Sequence, residues 1–119
     1  MKTTYTLKRP PSTTPGAYET DDLGDPYERT VFAHYFGPGS SDWYVIEYDR
    51  ENDAIHGFTE LVPQCGELGW ASLQEMEQIC IQIPLKINGT VMAQIPCRIE
   101  RDDYWTPRTL REVLKARNA

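Results

Sequence analysis

The chain has two histidines, His34 and His56, and a glutamate, Glu47, falls between them. Imidazole nitrogen and carboxylate oxygen are transition-metal ligands. No tight ligand spacing joins them, so the expectation is ordinary strand histidines, partly buried and hydrogen-bonded, and no metal site. Asp49 to Glu60 has acids where a calcium-binding loop has them, but Ala54 stands at the obligatory glycine and His56 at the aliphatic position. With strands rather than helices on both sides, this stretch reads as a polar hairpin loop. Ser40-Ser41-Asp42 follows Gly37-Pro38-Gly39, which is neither a phosphate-binding loop nor a nucleophile elbow. Cys65 is a candidate nucleophile only if its loop opens a helix, where a thiolate is favoured. No Ser-His-Asp or Cys-His set stands out, and no cofactor is expected.

Three carboxylates lie within or beside apolar segments: Glu47, Glu67 and Asp102. A carboxylate inside a strand is expensive unless it is paired. The favoured reading is structural, a Glu47–Arg101 ion pair pinning the tail to the sheet. A second is an acidic and aromatic partner-binding surface made of Asp42, Trp43, Asp49, Glu51, Asp53, Glu67 and Trp70. An alternative is a metal-dependent or nucleic-acid-processing enzyme accessory using Glu47, Glu67 and Asp102.

The element that must position these residues is Trp43-Tyr44-Val45-Ile46-Glu47-Tyr48, an aromatic and β-branched run with turn-forming sequence on both sides. It predicts a strand near the middle of a sheet. Thr30–Phe36 and Ala54–Val62 flank it as strands of a three-stranded antiparallel meander, which Pro63–Gly69 then breaks. Ser72-Leu73-Gln74-Glu75 is a capping box opening a short helix with Leu73, Met76, Ile79 and Cys80 on its apolar side. Residues 79–99 read as a second hairpin. Ile81, Ile83, Leu85 and Ile87 share a face with Val91, Ala93, Ile95 and Cys97 only if paired positions sum to an even number. That predicts a three-residue turn with a bulge and Gly89 in the left-handed region, in place of a two-residue Asn-Gly turn. Thr106 and Pro107 predict the start of a carboxy-terminal helix, with Trp105 packing on Leu110. The fold class is α+β: an antiparallel sheet of about five strands, as meander plus hairpin, with one short central and one C-terminal helix. Residues 1–17 read as an extended or flexible arm and 18–119 as a single domain.

The net charge of −6 is uneven. Residues 10–60 hold eleven acids and two bases, whereas residues 98–119 hold six bases and four acids. An acidic front half argues against non-specific nucleic-acid or membrane adhesion and suits a basic protein surface. Arg108, Arg111, Lys115 and Arg117 on the last helix read as a solvated face rather than a nucleic-acid site. Three cysteines without a CxxC pair, and no apolar leader or membrane-length run, predict a reduced cytoplasmic protein. A monomer or small homo-oligomer is expected.

Ala33-His34-Tyr35-Phe36, Asp42 to Asp49, His56-Gly57-Phe58, Glu67 to Leu73 and Glu100 to Pro107 recur in order as blocks of a known family. Over roughly residues 15–114 the chain resembles a domain-of-unknown-function family, number 2958, found on plasmids, phages and other mobile elements. Here the 81–98 hairpin is longer than the family pattern. The family has no reaction to transfer. The resemblance implies a small accessory protein of a mobile element. Together with the charge, it leads to the expectation of a non-enzymatic binding module that engages a host or element-encoded complex, as an inhibitor of host defence or nucleic-acid processing.

Overall fold

The aromatic run at 43–48 lies in the middle strand of a five-stranded antiparallel sheet in a computed structural model that describes residues 5–117. In chain order the strands and helices are β1 (Thr30–Val31), β2 (Ala33–Gly37), β3 (Ser41–Asp49), β4 (Ala54–Glu60), β5 (Gly66–Ser72), α1 (Leu73–Glu77), β6 (Cys80–Ile87), β7 (Thr90–Arg98), β8 (Glu100–Arg101), β9 (Arg108–Thr109) and α2 (Leu110–Arg117). The main sheet is ordered β5-β4-β3-β2-β8, β6 and β7 form a separate ribbon, and β1 pairs with β9.

The α+β class, the five-stranded antiparallel sheet and the two helices match the expectation, but the sheet's membership differs. Gly66–Gly69, the second half of the stretch expected to break the sheet, instead opens its edge strand β5 (Gly66–Ser72), with Thr59 opposite Glu67 and Ile55 opposite Ala71. Gly66 and Gly69 disguise that strand in the sequence. The 79–99 hairpin stays outside the main sheet. Helix α1 ends at Glu77, so Cys80 opens β6 instead of continuing a helical stripe.

The ribbon turn also departs from expectation. Pairs from Cys80↔Arg98 to Leu85↔Ala93 sum to an even number, as the apolar pattern demands, but Ile87 faces Thr90 directly. Asn88 and Gly89 both take positive φ, at 51° and 80°. The turn is therefore the two-residue Asn-Gly kind, and a bulge between Leu85 and Lys86 corrects the register. Helix α2 starts later than expected. Its capping box is Thr109–Glu112, in which Glu112 N donates to Thr109 Oγ1 at 3.2 Å and Thr109 N donates to Glu112 Oε1 at 3.3 Å. Thr106 is displaced as cap because Arg108 and Thr109 pair with β1.

Both faces of the main sheet are covered, which is why β3 reads as apolar throughout. One face holds Tyr35, Trp43, Val45, Tyr48 and Ile55 under Leu7, α1 and Ile99. The other holds Tyr44, Ile46 and Phe58 under Val31, Trp105 and α2. A bulge between Val45 and Glu47 sets the two faces against each other, because Val45 faces Gly57 but Glu47 faces His56. Ile46 and Glu47 consequently share one face, and Tyr48 returns to the face of Val45.

That turn of the strand buries Glu47 at 1 % exposure. The expected Glu47–Arg101 pair does not form. Glu47 accepts from Tyr18 N and Thr20 N, each at 3.0 Å, and from the Thr20 hydroxyl, with His56 Nδ1 at 3.9 Å. Arg101 sits on β8 across the sheet, donates to Arg9 O at 2.6 Å and lies 3.6 Å from Asp103. The buried carboxylate thus ties down residues 18–20, in place of the tail. The segment before it is also packed. Leu7 is 1 % exposed, and Arg9 grips Asp53 with two nitrogens at 3.0 and 2.5 Å while reaching Glu77 at 2.6 Å. Of the expected arm, residues 5–17 are locked across the sheet, with a turn at Pro11–Thr14, and residues 1–4 lie outside the described residues.

Two expected outcomes follow from this core. A Cβ at Gly57 would lie 1.8 Å from the backbone oxygen of Tyr44. Gly57→Ala therefore forces β3 and β4 apart and is expected to lose about 3 kcal/mol or more, read by urea denaturation. Burial pushes the Glu47 pKa up, but the hydrogen bonds from Thr20 and Tyr18 outweigh it and hold the group below the usual glutamate range. Its stabilisation is then complete above about pH 5 and fades as pH falls through the folded-state value. Glu47→Gln is expected to lose about 1–3 kcal/mol at pH 7. The difference from the parent shrinks below about pH 4 in thermal melts, and a pH-independent difference would contradict this role.

Candidate partner-binding groove

The capping cover on the Trp43 face is incomplete toward β5. Helix α1 is five residues long. It closes over Leu73 and Met76 and leaves the β4–β5 end of that face open. The opening is a groove of about 330 Å³. Its floor is Trp43, Thr59, Glu67, Gly69 and Ala71, which the register places in line on one face of β3, β4 and β5. Its wall is Glu75, Met76 and Ile79. A Cβ at Gly69 would meet nothing within 4 Å, so that residue keeps the floor low. A second hollow of about 190 Å³ shares Trp43, Leu61 and Ile79 and carries the apolar surface on toward the base of the β6–β7 ribbon.

The groove is apolar with one sign of charge. Glu67 and Glu75 are its ionisable lining residues. Neither has an ion-pair partner among the described residues. The Ser72 cap explains how Glu75 arrives here. Ser72 Oγ accepts from Glu75 N at 3.2 Å, the expected half of the capping box. Glu75 is among the groove-lining residues. Strand β5 forms the edge of the sheet beside the groove, so among the described residues one side of its backbone carries no ladder partner.

Of the seven residues expected at a partner surface, the structure brings Trp43 and Glu67 together on the groove floor; Trp70 borders the groove from β5, but its ring meets His56 and Tyr18 on the opposite face of the sheet. The other four lie elsewhere. Asp42 takes the His34 Nε2 contact at 2.7 Å. Asp49 caps its own turn, accepting from Glu51 N and from Asn52, which holds its carboxyl below the usual range. Asp53 is occupied by Arg9 and by the Tyr48 hydroxyl at 2.6 Å. Glu51 alone of that loop's acids projects freely into solvent. Reversing Asp53 would therefore break the fold's own clamp as well as any partner contact. Thr59, Leu61, Met76 and Ile79 were not expected at a site, because the groove exists only once β5 is recognised as a strand.

The catalytic and metal alternatives do not assemble. Glu47, Glu67 and Asp102 are dispersed: Glu47 lies under Thr20, Glu67 is on the opposite face of the sheet, and Asp102 is on His34. The two histidines are separated by β3. His34 lies between Asp42 and Asp102, with Nδ1 at 3.1 Å from Asp102, and its ring stacks on Tyr44 at 4.8 Å. Each ring nitrogen thus lies within hydrogen-bond reach of a carboxylate. His56 instead meets the Trp70 ring at 4.9 Å with the planes tilted by 42°. Cys65 precedes a strand, so the helix-start activation expected for it is absent. The bases of α2 and its approach are largely engaged: Arg108 covers the Trp105 ring, Arg111 pairs with Asp25 and Glu28, and Arg117 pairs with Glu60. Among the described residues no helix is long and apolar enough to cross a membrane.

No curated protein and no solved structure matches the chain. A family profile described as a protein of unknown function, DUF2958, matches residues 19–110 and so spans β1 to β9, the groove and the His34 cluster. The chain belongs to that family.

Proposed function

We propose that the protein is a non-enzymatic protein-binding module whose groove takes an extended partner segment with apolar side chains and a lysine or arginine. The observation that supports this most directly is the combination in one place of an open apolar floor, two unpaired carboxylates and a free strand edge. An extended peptide can add to a sheet edge through backbone hydrogen bonds and set its side chains into an adjoining groove. Glu67 and Glu75 select a basic residue among those side chains, since an acidic one would be repelled.

In its finer form the proposal is an accessory protein that inhibits a host defence or nucleic-acid-processing complex by occupying a basic surface. The acidic balance of residues 10–60 supports that form. Asp21, Asp22 and Glu51 are exposed and available to extend contact beyond the groove.

Panning a random peptide library on the purified protein, followed by fluorescence anisotropy of the recovered sequences, tests the groove. Apolar peptides carrying Lys or Arg are expected, with affinity in the micromolar range. Gly69→Trp fills the floor and is expected to abolish binding while leaving the circular dichroism melt intact. Glu67→Lys combined with Glu75→Lys is expected to weaken binding at least about tenfold. Peptides that bind both variants as well as the parent would exclude the groove as the site.

A further inference from the structure

We infer that the β6–β7 ribbon is a dimerisation surface that packs on the same ribbon of a second copy of this chain. The inference does not depend on the groove reading. It begins with the even-sum register, which sets Ile81 beside Cys97, Ile83 beside Ile95 and Leu85 beside Ala93 on one face. That face is open. Ile81, Ile83, Leu85 and Ile95 are 42–49 % exposed, whereas no residue of either sheet core exceeds 8 %. The ribbon meets the rest of the molecule at its base, where Ile81 adjoins Ile79 and Ile99, and Arg98 lies over Tyr5. A two-stranded ribbon standing away from a core is marginal in water and needs a covering layer.

The chemistry of the face points to a second copy as the cover. Gln82, Pro84, Lys86, Gln94, Pro96 and Arg98 fall on the opposite side by the same register. The apolar face therefore carries no charge and no hydrogen-bonding side chain from Ile81 to Leu85, and nothing that would select a foreign partner. Two such faces brought together across a two-fold axis meet without like-charge repulsion, Lys86 of each copy remaining in solvent and Arg98 staying against Tyr5 and Glu77 at the ribbon's base. No acid lies in the ribbon between Ile81 and Cys97. Ile81, Ile83, Leu85, Ile87 and Ile95, at roughly 80–100 Å² each, give about 400–500 Å² per copy, or roughly 800–1,000 Å² for the pair, the size of a weak, transient interface. That area fits a reversible dimer.

Sedimentation equilibrium of the full chain across about 1–200 µM reads the mass directly. The parent is expected to rise from the 13.7 kDa of one chain toward twice that value. The double variant Ile83→Glu, Ile95→Glu puts four carboxylates into the interface and is expected to stay at the mass of one chain, with the main sheet's melting transition retained. A control on the other side of the ribbon, Gln82→Glu with Gln94→Glu, is expected to dimerise like the parent. A parent that stays monomeric throughout overturns the inference. If that monomer floats with phosphatidylglycerol vesicles, the ribbon's cover is a lipid surface; if it does not, the cover is a different protein. A dimer that survives the isoleucine substitutions, or is lost equally in the control, also overturns it. Groove-binding peptides are expected to bind parent and double variant alike, so failure here is distinguishable from failure of the groove.

Discussion

The bulge in β3 is the constraint on which the other features depend. By placing Ile46 and Glu47 on one face, it sends a carboxylate into an otherwise apolar layer. A buried carboxylate must be met by donors. The donors come from Tyr18 and Thr20, so the chain before β1 is drawn across the Tyr44 face. The same bulge returns Tyr48 to the Trp43 face, where its hydroxyl reaches Asp53. Arg9 completes that junction by bridging Asp53 and Glu77. Burial opposes the charge on Arg9, and the two carboxylates more than restore it, so the guanidinium is held even more firmly charged than usual. One extra residue in a central strand thereby sets where the amino-terminal segment, the β3–β4 turn and α1 meet.

This internal use of charge bears on function. Most of the acids that make the front half negative are already engaged: Glu47 by amides, Asp53 by Arg9, Asp42 by His34, Glu60 by Arg117, Asp25 and Glu28 by Arg111, and Asp49 by its own turn. Net charge alone overstates the acidic surface open to a partner. Glu67 and Glu75 differ because their elements end at a sheet edge with no basic residue facing them. The His34 cluster, which carries catalytic residue types, is internally satisfied and clasps Asp102 and the chain around β8 to β2 and β3.

The central strand was legible because a run such as Trp43–Tyr48 has few other solutions, and the parity of the isoleucines in 81–99 fixed the sense of the ribbon's register. What the sequence did not reveal has physical causes. Strand β5 has, in place of β-branched residues, Gly66, where a Cβ would run into the Phe58 ring, Gly69, which faces open space, and Ala71, which packs on the core. The ribbon reached its even register through a bulge, which leaves no residue signature beyond the parity itself. Glu47 was recognised as needing partners, but backbone amides of residues 18 and 20 have no sequence mark, and a distant arginine looked the better donor. Trp43 and Glu67 could be named from the sequence, whereas their meeting on one face depended on the pairing of β5, and the wall from α1 on the tertiary packing. The Thr109–Glu112 capping box was present in the sequence, obscured by the competing Thr106–Pro107 signal.

Site-specific photo-crosslinking in the native host cell tests most directly whether the groove is where a partner sits. A benzophenone side chain at Gly69 projects into the open floor, and the same group at Glu51 serves as the comparison on the acidic turn. The expected result is an adduct from position 69, absent from position 51, whose crosslinked peptide is an extended apolar segment bearing Lys or Arg. Adducts from position 51 with none from 69, or a crosslinked segment that is acidic, would contradict the groove as the binding site.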